Sequence, residues 1–172
     1  MRLFVAIPLK KNLQQALMAV MRDLNRLGFR GNFSSLENLH LTLAFIGDYP
    51  DHQAVVKALA SVNSPAPNLV TQGLGHFGDL VWLGLEDSLP LQQVAKAVRT
   101  SLQANDIPFD PKPFKPHITV ARRVNIGHLQ DQPFPVPPSQ RMTATQFSLM
   151  SSELRDGRLI YREIASFSLD TK

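Results

Sequence analysis

Two six-residue segments of the chain repeat one another. His40-Leu-Thr-Leu-Ala-Phe45 and His117-Ile-Thr-Val-Ala-Arg122 share histidine, threonine and alanine at the first, third and fifth positions, with aliphatic residues at the second and fourth. The chain holds five histidines and seven threonines, and chance would set a threonine two places after a histidine about 0.2 times. Two imidazoles across a small anionic group suit displacement at a phosphodiester. One, neutral, takes the proton of the nucleophile, and the other, protonated, gives a proton to the departing oxygen. In-line displacement needs those roles on opposite sides of phosphorus, which two facing copies of one motif supply. The threonine hydroxyls can donate to the non-bridging oxygens while charge shifts. Spacing alone does not say which histidine is the acid and which the base.

The motifs read as strands. Residues at i and i+2 share a strand face, so His40 and Thr42 point together while Leu41 and Leu43 point the other way, as do Ile118 and Val120 against His117 and Thr119. Around them, Leu3 to Ile7 is an apolar first strand. Leu13, Leu17, Val20, Leu24 and Leu27 recur at helical spacing and Gly28 ends the helix. The first motif strand spans Asn38 to Ile46, with a turn at 47–50 and a helix from Gln53 to Ser61. Leu69–Leu74 and Leu80–Leu85 flank a glycine-bearing turn over Gly75 to Asp79, a hairpin signal. Ser88 caps a third helix with Pro90 in its first turn and Leu91, Val94, Val98 and Leu102 as its buried stripe. Two closing strands, Thr143–Met150 and Arg158–Leu169, join at Asp156-Gly157. Eight of the thirteen prolines fall between Pro108 and Pro138. Strands lie on both sides of that stretch, so it is an irregular connection and not a linker. The pattern predicts an α+β fold with two lobes in one domain, 1–172.

Composition excludes several classes. The 172 residues contain no cysteine, which removes disulfides, thiolate metal sites and a cysteine nucleophile. There is no apolar run of spanning length, so no membrane partner is expected. Leu3 to Leu9 contains Pro8 and meets Lys10-Lys11 without a small-residue cleavage pattern, and cytoplasmic localisation is the expectation. The net charge of +4 permits a polyanionic partner without identifying one, because the basic residues are spread along the chain. No histidine or carboxylate spacing suggests a metal, neither motif strand carries an acidic residue, and there is no glycine-rich phosphate loop. Neither metal nor cofactor is expected.

Secondary candidates surround the motifs. Arg122 can pair with a phosphate oxygen, yet five residues after His117 a straight strand would turn it to the opposite face, so the strand must end or twist there. Phe77, in the hairpin turn, is a candidate to stack on a terminal base. Phe45 and Trp82 read as core. His76 and His128 read as turn residues without partners, and His52 as solvated. Lys112, Lys115 and Arg123 read as surface charges.

The whole pattern resembles the 2H (two-histidine) phosphoesterases, in particular the RNA 2′,3′-cyclic phosphodiesterase branch, also called 2′-5′ RNA ligases. The resemblance rests on Arg2-Leu-Phe-Val-Ala-Ile7, Glu37 to Gly47, Val81-Trp-Leu-Gly84, Lys115-Pro-His-Ile-Thr-Val-Ala-Arg122 and the segment Phe147 to Tyr161. It implies a bilobal, duplicated fold, two mostly antiparallel sheets flanking a central cleft with helices outside. It also implies metal-independent opening of a terminal 2′,3′-cyclic phosphate on RNA to a 2′-phosphomonoester. His40 would be proton donor to the 3′-oxygen, His117 proton acceptor from water, and Thr42 and Thr119 phosphate ligands, with Arg122 where the family carries an arginine. Joining of RNA ends through a 2′-5′ linkage would use the same groups. The implied partner is an RNA end, such as that of a tRNA fragment, bound by a monomer. DNA is not expected, because the cyclic phosphate needs a 2′-oxygen. At Asn32-Phe-Ser-Ser-Leu36 the chain departs from the tryptophan- and proline-containing lead-in of the family, which alters the cleft rim more than the chemistry. The competing readings are a small cyclic nucleotide phosphodiesterase and a nucleotide- or RNA-binding module without turnover.

Overall fold

The computed structural model describes residues 1–170. Its strands are β1 (Arg2–Pro8), β2 (Asn32–Phe33), β3 (His40–Asp48), β4 (Asn68–Phe77), β5 (Leu80–Leu85), β6 (His117–Arg122), β7 (Arg141–Thr143), β8 (Gln146–Arg155) and β9 (Arg158–Ser168). Helices α1 (Lys11–Arg26), α2 (His52–Ala60) and α3 (Leu89–Ala104) lie between them. The strands form two antiparallel sheets, ordered β3-β1-β8-β9 and β2-β6-β5-β4-β7. This is the expected α+β class, with one motif strand in each sheet. Among the described residues no helix is long and apolar enough to cross a membrane.

The helices form where the apolar spacing put them. Leu13, Leu17, Val20 and Leu24 are the buried face of α1. Gly28 follows at φ +96°, a left-handed value that favours glycine, and a Cβ there would lie 2.8 Å from Nε2 of His128. Asp51 caps α2 by accepting from the Ala54 amide, and Ser88 caps α3 by accepting from that of Leu91. The helices also tie the sheets together. α3 leaves the second sheet after β5 and packs on β3 of the first, while α1 leaves the first sheet and meets β7 of the second.

Three boundaries differ from expectation. β4 continues through Phe77, so the hairpin turns at Gly78-Asp79, where Gly78 has φ +57°. Gly75 lies within the strand; its missing side chain leaves room for the Trp82 indole, which a Cβ would overlap. The expected strand Thr143–Met150 is two strands in different sheets, because the chain crosses over at Ala144, and the short β2 was not foreseen. At the β8–β9 turn Asp156 and Gly157 take φ +50° and +76°, as a two-residue hairpin requires.

Both motif strands carry the same irregularity. In β3, Thr42 pairs with Ala6 and Ala44 with Val5, so Leu43 has no partner across the ladder. In β6, Thr119 pairs with Trp82 and Ala121 with Val81, so Val120 has none. Each is a β-bulge of one extra residue at the fourth motif position. Residues four and five are consequently both buried, Leu43 with Ala44 and Val120 with Ala121, and the sixth returns to the face of the first and third. The bulged carbonyls find partners away from the ladders they interrupt: Leu43 accepts from Arg99 Nε at 3.1 Å, and Val120 from the Ser34 amide at 2.8 Å, where the β2–β6 register continues.

Candidate active site

The two motif faces line one cleft of about 1260 Å³. His40, Thr42 and Phe45 come from β3; His117, Thr119 and Arg122 come from β6. The bulges account for the sixth residues. Arg122 reaches the cleft because Val120 is looped out of register, which supplies the twist a straight strand lacks. Phe45, expected in the core, is 37% exposed at the corresponding point of β3, with the Arg2 guanidinium 5.6 Å over its ring.

The histidines are held alike. Nδ1–H of His40 donates to the Asn38 carbonyl at 2.7 Å, and Nδ1–H of His117 to that of Lys115 at 2.6 Å. Each carbonyl lies two residues before its histidine, and each bond leaves Nε2 as the nitrogen free for chemistry in the cleft. The surroundings of the two rings differ. His40 Nε2 lies 2.9 Å from the Thr42 hydroxyl, which donates to it when the ring is neutral. Its ring packs on Phe4 at 4.8 Å and against the edge of Tyr161 at 5.2 Å. Burial holds the His40 pKa below the ordinary histidine value of 6.5; the Asn38 carbonyl opposes this, and the charges of Arg122 and His117 reinforce it. Burial raises the Tyr161 phenol, with Arg122 and Arg2 opposing. His117 instead meets the edge of Phe77 at 5.3 Å and Trp82 at 6.3 Å.

Phe77 is exposed and is not among the residues around the cleft, but it packs edge-on to the His117 ring and tilted against Trp82 at 5.2 Å. Trp82 is half-buried instead of core, and its buried Nε1 has no hydrogen-bond partner. His128 has the partners it was expected to lack: Nε2 bonds the Leu27 carbonyl at 2.7 Å, and its ring meets Phe29. His76 likewise lies in β4, with Nδ1 2.8 Å from the Gly78 carbonyl. Lys112, Lys115 and Arg123 are exposed, as expected. Phe4, Arg2 and Tyr161 were missed. Phe4 hid in an apolar strand that looked buried on both faces, and Tyr161 lies far from either motif in sequence. Among the described residues no three histidine, aspartate or glutamate side chains gather as a metal site would need.

Two sheets presenting matched imidazole–hydroxyl pairs to one cleft define a phosphoester-handling class of α+β protein. Residues 11–155 match the 2′-5′ RNA ligase superfamily, and the chain belongs to that family. A protein of Thermus thermophilus named RNA 2′,3′-cyclic phosphodiesterase is 31% identical over 98% of this chain and 90% of its own. One of Geobacillus stearothermophilus with the same name is 33% identical over 70% of this chain and spans 41% of its own length. The crystal structure of E. coli LigT complexed with 3′-AMP superposes with a TM-score of 0.84 at 26% identity, covering 98% of this chain and 97% of the other.

Proposed function

We propose that the protein hydrolyses 2′,3′-cyclic phosphate ends of RNA to 2′-phosphomonoesters, by acid–base catalysis between His40 and His117 without a metal ion. The carrying observation is the matched anchoring of both histidines through Nδ1, with both rings lining one cleft. In this reading His117 Nε2 takes a proton from water as its oxygen attacks phosphorus. The bond from phosphorus to the 3′-oxygen breaks, and that oxygen receives the proton of His40 Nε2. Thr42, Thr119 and Arg122 hold the non-bridging oxygens. A 5′-hydroxyl in place of water gives a 2′-5′ linkage by the same transfers. The assignment of donor and acceptor follows the family resemblance. Burial, the largest cause, and the Arg122 charge both depress the His40 pKa, and a phosphate anion lying against Arg122 would offset the second of these and favour the protonated ring. The shared irregularity of β3 and β6 supports reading the chain as one domain of two pseudo-symmetric lobes.

An oligoribonucleotide ending in a 2′,3′-cyclic phosphate is expected to yield a 2′-phosphate end in excess EDTA, and a strict metal requirement would overturn the mechanism. His40→Ala and His117→Ala are each expected to lower kcat by about 10²- to 10⁴-fold, with the circular dichroism spectrum unchanged. Wild-type rates in both variants would make the histidines bystanders.

A further inference from the structure

β8 and β9 stay paired over their whole length, but β1 accompanies β8 only as far as Ser152. Residues from Glu153 to Ile160 therefore form a two-stranded arm beyond the edge of β1. The arm does not hang free. Asn38 Nδ2 donates to the Leu159 carbonyl at 2.8 Å, fastening the arm beside the turn that leads into His40, and Gly157, Arg158 and Leu159 line the cleft. Glu153 on the arm pairs with Arg155 beside it and with Arg162 further along β9, at 3.2 and 3.5 Å, and Asp156 sits in the exposed turn. Arg158, exposed at the cleft wall, has no carboxylate within ion-pair distance among the described residues.

The cleft is also larger than the reaction needs. Small-molecule sites span about 300–1,000 Å³, and this one has about 1260 Å³. The motif threonines and Arg122 already account for the scissile phosphate. An RNA 3′ end seated there continues only through its 5′-oxygen, so the first group beyond the terminal nucleoside is an anionic phosphodiester.

We propose that the β8–β9 arm clamps the strand upstream of the terminal nucleotide, with Arg158 paired to that first upstream phosphodiester, so that the protein selects oligoribonucleotide ends over mononucleoside 2′,3′-cyclic phosphates. This rests on the cyclic-phosphate reading of the cleft. Arg158 acts as a specificity residue; the reacting atoms are left to the two motifs. A guanidinium can meet two oxygens of one phosphate at once, which a solvated surface charge does not require of its position.

The test compares kcat/KM for a short oligoribonucleotide with a 2′,3′-cyclic phosphate end and for a mononucleoside 2′,3′-cyclic phosphate. The wild-type protein is expected to favour the oligonucleotide. Arg158→Gln is expected to lower kcat/KM about tenfold on the oligonucleotide, chiefly through KM, and to change it by less than about twofold on the mononucleoside. The slope of log KM against log salt for the oligonucleotide should fall by about 0.7, one phosphate contact. Equal losses on both substrates, or no loss on the oligonucleotide, would overturn the arm's role while leaving the cyclic-phosphate reading in place. If the wild-type protein turned over neither substrate, that reading would fail first, and the arm's role with it.

Discussion

His40 is the residue whose environment makes the sharpest claim. Burial and the charges of Arg122 and His117 outweigh the Asn38 carbonyl and favour the neutral ring. Between its folded pKa and about 6.5 the folded protein thus holds fewer protons on His40 than the unfolded chain. Its contribution to stability is complete above that window and is lost as pH falls through it. Donating a proton to a leaving oxygen asks for the opposite state, and an anion beside Arg122 would shift the ring toward it by offsetting that charge. We expect the His40 resonance of the free protein to titrate below 6.5, to move upward when a nucleoside 2′-phosphate is bound, and to move upward in Arg122→Gln. A midpoint that neither change moves would remove Arg122 from the electrostatics of the site. The four motif residues were legible because histidine and threonine at fixed spacing carry their chemistry in their type. Tyr161 and Arg2 were not, since only folding brings them to the same wall.

At the scale of elements, the period of two placed His40 with Thr42 and His117 with Thr119, and then failed at the sixth position. Phe45 went to the core on that rule, while Arg122 could reach the cleft only if the strand twisted, and one cause underlies both. A bulge resets the alternation, and nothing in residue type marks Leu43 or Val120 as the extra residue. The repeated alanine was the trace it left: Ala44 and Ala121 follow the bulge and are fully buried. Glycine was misread in a related way, for Gly75 looked like a turn and is a floor beneath Trp82. Gly75→Ala is expected to cost about 1–3 kcal/mol by overpacking and to lower kcat, because the displaced indole borders the His117 ring. Gly73→Ala on the same strand meets nothing within 4 Å and serves as the control. Equal denaturant midpoints for the two variants would refute the account.

Across the whole molecule, the chemistry depends on holding two sheets at a fixed separation, and Arg99 connects them. It lies on α3, between two strands of the second sheet, and reaches β3 of the first, where its Nε bonds the bulged Leu43 carbonyl. Nη1 bonds the Lys112 carbonyl at 2.7 Å, five residues before His117. One side chain thus meets the bulge that turns Phe45 into the cleft and the segment that delivers the second histidine. Its removal leaves two carbonyls without that donor, one of them at the residue that the β1–β3 register skips. Arg99→Met, which keeps an unbranched side chain but loses both hydrogen bonds and the guanidinium over the Phe109 ring, is expected to cost about 1–3 kcal/mol. For a chain of this size that lowers Tm by about 2–12 °C. If Arg99 also sets the spacing of the motifs, kcat should fall well below the wild-type value at temperatures where the variant is fully folded, with KM for a mononucleoside cyclic phosphate changing less. A loss of Tm with kcat intact would confine Arg99 to stability, and an unchanged Tm would show that water replaces it at both carbonyls.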